Sequence, residues 1–203
     1  MSGLAALLVA LLLAVNLGIS WWNARVVGLD WVEARFIGGW VRFMCWMGWL
    51  MSALGFTWCY VLILAFVAQG AGLIGARELE ATLLLGYLVV IPGMLFSGLF
   101  IWIDSVVVAW RRRDLPSMAT ASWNTFAELH NAYSAISGVG AALKSVGNLF
   151  GDGDEDEAKI GAIIIVVLIV VAALAGGFIT TELIRRHYAA SRPLPARAAA
   201  QAA

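Results

Sequence analysis

The chain has 203 residues, room for one compact unit, with 62% apolar and only 13% charged side chains and a formal net charge of zero. Soluble domains carry roughly 25% charged residues, and a soluble core of this size could not hide so much apolar surface, so lipid is the solvent this chain is built for. The neutral balance lacks the basic face that nucleic-acid binding requires.

Leu4 to Ile19 is an apolar run extended by Trp21 and Trp22. No Lys or Arg precedes it and no small-x-small cleavage site precedes Trp21, so the pattern predicts a retained first span, Leu4 to Trp22, rather than a signal peptide. Residues 23–42 interleave Arg25, Asp30, Glu33, Arg35 and Arg42 with Trp31, Phe36, Ile37 and Trp40. Such mixing predicts a short interfacial connector lying in the headgroup layer.

The next run, Phe43 to Ala76, has no ionisable group besides Cys45, Cys59 and Tyr60. It is too long for one straight span, and the crossing is placed at Phe43 to Val67, before a turn opened by Gln69, Gly70, Ala71 and Gly72. Gly48 and Ser52, four residues apart, make a small patch where another helix backbone can approach. Cys45 and Cys59 are separated by about 21 Å along a helix axis, beyond disulfide reach, and are read as small packing residues.

Ala81 to Ile103 carries no charge. As a helix it reaches about 35 Å at roughly 1.5 Å per residue, enough for a hydrocarbon core of about 30 Å. Arg111, Arg112 and Arg113 close this third span in the phosphate layer. Pro92-Gly93 near its middle predicts a kink. Trp21, Trp22, Trp40, Trp102 and Trp110 fall at span ends that share one side of an up-down-up path, which predicts an aromatic belt built mainly at one interface.

Residues 116–150 are too polar for a fourth crossing by composition. Phe126, Leu129, Tyr133, Ile136, Gly140, Leu143, Gly147 and Phe150 recur at intervals of three and four, which predicts an amphipathic helix on the membrane surface or on neighbouring helices. Thr120 or Ser122 is expected to cap its start. The acidic run over residues 151–157 reads as a solvated linker. Asp152, Asp154 and Asp156 imitate the start of a calcium loop, but Glu157 and Ile163 occupy positions where that loop needs Gly and Glu.

Ile160 to Thr181 is the most apolar span. Ala172, Gly176 and Thr180 repeat every four residues, as do Ala173, Gly177 and Thr181, giving a small-residue face for close helix packing. Arg185 and Arg186 anchor its end, and the tail over residues 189–203 reads as disordered. The organisation expected is therefore a three-span unit over residues 1–114, an arm and linker over 115–159, a fourth span over 160–188 and a tail. The fold class is an all-α integral membrane protein with four transmembrane helices plus an amphipathic membrane-surface helix.

Four crossings put both termini on one side and set the Arg111–Arg113 cluster opposite Arg185–Arg186, so the positive-inside rule cannot satisfy both. Eight basic residues on the first and third loops against five on the opposite side favour those loops inside and both termini outside.

Asp104 is the one acid close to a span interior. Such a carboxylate can carry protons or cations, or it can pair with a snorkelling Arg such as Arg111. Glu128, His130 and Asn131 sit together on the arm, but no zinc, Walker or nucleophile motif accompanies them. No enzyme activity and no cofactor are expected. The general build is similar to small multi-pass envelope or accessory membrane proteins, virion membrane components among them. The expected function is a structural or assembly role. The alternative is a small transporter or channel subunit using Asp104 and the Pro92 kink. Lipid, other membrane proteins or a second copy are the expected partners, and nucleic acid is not.

Overall fold

The computed structural model describes residues 3–151 and 157–191. The run at 152–156, with its imitation of a calcium loop, and the tail from 192 onward lie outside the described residues. Five helices account for nearly all of the rest: α1 (Gly3–Ile37), α2 (Gly39–Gly70), α3 (Ala76–Arg112), α4 (Leu115–Gly151) and α5 (Glu157–Ala190). By length and composition α1, α2, α3 and α5 each contain a stretch able to cross a bilayer, and the chain is a multi-pass membrane protein.

Each reversal has a local cause. Gly38 takes φ 137, a conformation that costs a glycine little and L side chains much, and the chain folds back from α1 into α2. At the end of α2, Gly72 takes φ 72. Leu73 N–H donates to the Ala68 carbonyl at 2.9 Å and Gly72 N–H to that of Gln69 at 3.0 Å, the paired bonds of a Schellman stop. The Glu78 carboxylate accepts from Gly75 N–H at 2.9 Å where α3 begins. Arg113, left-handed at φ 54, ends α3. Asp114 then starts α4 by accepting from Ser117 N–H at 2.8 Å. Thr120 and Ser122, the caps expected from sequence, lie inside the helix and donate to the carbonyls of Pro116 and Met118 four residues back.

α2 is the hub, packed against α1, α3 and α5, while α5 also touches α1 and α3. The register follows from point contacts. Ser52 on α2 meets Ser20 on α1 and Thr181 on α5. Val61 faces Gly86, and Leu54 faces Gly93, on α3. Ala68 clusters with Ile169 of α5.

Two expectations change. Residues 23–37 form no separate connector, because α1 runs unbroken to Ile37 and Ala24, Val27 and Ala34 are buried against neighbouring helices. The arm does not stand apart from the spans either. α4 lies antiparallel along α3, its main partner, and both helices have 37 residues.

Candidate functional site

One end of the bundle gathers the C-terminal ends of α1, α3 and α5 with the N-terminal ends of α2 and α4. It is called the arginine end below. Its position follows from the register: Gly98 of α3 and Thr181 of α5 both sit beside the Met51–Ser52 level of α2, and from there both chains run toward the α2 N-terminus. Arg111–Arg113 and Arg185–Arg186 therefore lie at the same end. The opposition expected from four crossings does not occur, because α4 carries the chain back along the whole of α3 before α5 begins. Among the described residues this end holds Arg25, Arg42, Arg111, Arg112, Arg113, Arg185 and Arg186, and the other end holds Arg77 and Lys144.

Several arginines are fixed to aromatic faces. The Arg25 guanidinium lies 4.9 Å from the Trp22 ring, 5.8 Å from Trp21 and 5.5 Å from Tyr188, joining α1 to α5. Arg185 lies 4.3 Å from Trp31 and pairs with Glu182 at 2.6 Å. Arg186 reaches the same carboxylate at 2.7 Å. Cation–π contacts of this kind are worth about 0.5–1 kcal/mol where exposed and more where desolvated. Edge-to-face contacts continue from Trp31 through Trp46 and Trp49 to Phe178, so an aromatic chain links α1, α2 and α5. Trp110 is exposed and stacks with Arg113, while Trp102 donates to Thr125 Oγ1 of α4 at 2.8 Å.

Asp104 sits in this end. Its Oδ1 accepts a hydrogen bond from Trp40 Nε1 at 2.8 Å, which ties α3 to α2. The expected arginine partner is thus replaced by an indole. A cleft of about 620 Å³ opens beside it, lined by Trp22, Asn23, Asp30, Trp40, Asp104 and Asn124 among others. Two carboxylates, two amides and two indoles suit a hydrated cationic group. Pro92, the other part expected of a transporter, lies within an unbroken α3. The following Gly93 is packed by the Leu54 side chain.

The small-residue positions form a seam within the chain. A Cβ on Gly177 would lie 2.6 Å from the Ala53 carbonyl oxygen and 2.7 Å from Thr57 N, so the α2 and α5 backbones touch there. Gly176 faces the Tyr60 ring, and Tyr60 Oη and Thr180 Oγ1 are 2.8 Å apart. Ser52 Oγ donates to the Ser20 carbonyl at 2.7 Å and lies 3.2 Å from Thr181 Oγ1, joining three helices. Gly48 faces Val27 of α1. Ala173 is buried and Ala172 is exposed, so only one of the two rows is fully covered at that level. Cys45 and Cys59 are buried free thiols. Sequence reasoning missed Ser20, Thr57 and Tyr60. A hydroxyl inside an otherwise apolar span was the signal available, since it must find a partner there.

Glu128 turns toward α3, its Oε2 in contact range of where a Gly98 side chain would stand. His130 is exposed and lies against Phe126, so the two do not converge on one point. No group of His, Cys, Asp and Glu able to hold a metal occurs among the described residues. No family model matches the chain, and no curated protein or solved structure is detectably similar to it.

Proposed function

We propose that this chain is a non-enzymatic structural or assembly component of a membrane, anchored at one interface by its arginine end. The observation that carries this reading is the Trp40–Asp104 bond. The acid best placed for transport chemistry is engaged as a staple between α2 and α3, and Glu182 likewise holds Arg185 and Arg186. Asp104 thus joins two helices, and Glu182 positions Arg185 within α5, where its guanidinium lies against Trp31 of α1. A small transporter is the second reading, favoured by the cleft beside Asp30 and Asp104.

Asp104→Asn separates the two. Asn keeps an oxygen that can accept the Trp40 N–H, so a staple survives it with a change of about 0–1 kcal/mol, as for an exposed pair. A carrier must change charge or ligation during its cycle and does not survive it. The structural reading expects unchanged abundance and assembly in Asp104→Asn, and no proton or cation flux from the wild type in liposomes. Flux that disappears in Asp104→Asn would establish the transporter instead.

A further inference from the structure

We propose that α4 is a fifth membrane-crossing helix whose outer apolar stripe is covered by lipid acyl chains. The argument begins with depth. α3 contains the uncharged stretch Ala81 to Ile103, and α4 follows that stretch level by level: Thr125 meets Trp102, Glu128 lies over Gly98, and Gly138 faces the Tyr87 ring. A helix held beside the middle of a span for this length lies at the depth of that span.

The chemistry of α4 fits this position. From Phe126 to Leu143 is 18 residues, about 27 Å of helix at about 1.5 Å each, close to a hydrocarbon core of about 30 Å. Lys144 follows at the far end, where its stem lets the ammonium reach the headgroups. The inner face is small or polar, with Ala142 fully buried and Glu128 turned to α3. The outer face is apolar and bare: Phe126, Leu129, Tyr133, Ile136 and Leu143 are 60–84% exposed. His130, also exposed, lies about 6 Å of helix inside Phe126, roughly one turn from that end of the crossing. Composition hides the crossing because the polar groups of α4 turn to α3, as Glu128 does, bond their own helix backbone, as the exposed Ser137 does with the Tyr133 carbonyl, or sit within about a turn of its ends, as His130 does.

Five crossings put residues 7 and 190 on opposite sides. They also put both arginine clusters on one side, which the positive-inside rule makes the cytoplasmic one. The two clusters that conflict in a four-span path agree in this one.

The test uses the full chain in sealed membranes, with single cysteines at Arg113, Gly153 and Ser191 and an impermeant maleimide. Cys45 and Cys59 are buried, so the wild type serves as the blank. Positions 113 and 191 are expected to label from one face and 153 from the other. Positions 113 and 153 labelling from the same face, with 191 opposite, would return α4 to the surface and overturn the crossing. A nitroxide at Ile136→Cys then reports the occupant. Relaxation by oxygen but not by a water-soluble nickel chelate supports acyl chains. Access for the chelate, or spin–spin broadening between labels on two copies, overturns them in favour of water or a second chain.

Discussion

The α2–α5 seam and the α3–α4 hairpin are both antiparallel helix pairs, yet they are held together differently. In the seam, Gly177 brings two backbones into contact, and hydroxyls from Ser52, Thr180 and Thr181 find partners across the gap. In the hairpin the glycines meet side chains rather than backbone, Gly138 the Tyr87 ring and Gly98 the Glu128 carboxylate, and a side-chain hydrogen bond from Trp102 to Thr125 crosses between the helices. α5 is enclosed by α1, α2 and α3, whereas α4 has one main partner. Helices in lipid gain little from burying apolar side chains against each other, because acyl chains are equally apolar. Close backbone approach and shared hydrogen bonds decide which pair is tight, and on both counts the seam leads.

The largest effect expected is at Gly177. Even one methyl group would meet backbone atoms of Ala53 and Thr57, which cannot swing away, so Gly177→Ala should cost about 1–3 kcal/mol and Gly177→Leu more. Gly176→Ala meets only the Tyr60 ring and should cost less. Unfolding by steric trapping in bicelles measures both. Equal and negligible losses at the two positions would break the comparison, since the seam would then be no tighter than the hairpin.

A smaller effect is expected at Trp102. Trp102→Phe removes the indole donor but leaves Thr125 bonded to the Ala121 carbonyl, so the loss should be about 0.6 kcal/mol, typical of a polar contact in a membrane protein. Amide exchange along α4 should quicken roughly threefold by the usual relation between free energy and rate, with α5 unaffected. Equal quickening in α5 would mean that hairpin and seam open as one unit.

The smallest effect concerns the turn that begins the hairpin. The Ser117 side chain and backbone hold the Asp114 carboxyl below its ordinary range, with Arg112 adding to the shift. A folded-state pKa below the unfolded one means the cap stabilises α4 above the ordinary Asp range and loses that contribution as pH falls through the depressed value. Protection of the Ser117 and Met118 amides, taken relative to their intrinsic exchange rates, should therefore fall on acidification. Asp114→Asn, which caps without titrating, should remove the pH dependence of protection, and Asp114→Ala should leave protection low at every pH. An unchanged pH profile in Asp114→Asn would show that another group controls the turn.

The amino-acid sequence by itself determined the solvent, the four apolar stretches and the small rows at Ala173, Gly177 and Thr181, because hydropathy and period are local properties. It also exposed Asp104 as the acid nearest a span, since a lone charge beside an apolar run is visible in one dimension. What those residues meet was decided by the tertiary structure. Trp40 is 64 positions from Asp104, and Thr181 is 129 from Ser52. The same holds for α4. Its stripe was legible as a period, but the direction in which the stripe faces depends on α3 taking the opposite side of the helix. The sequence alone set the two arginine clusters against each other, and only the path of α4 along α3 brings them to one end. No local pattern encodes that path, because groups such as Glu128 and Thr125, which lower the apolar character of α4, find their place against another helix.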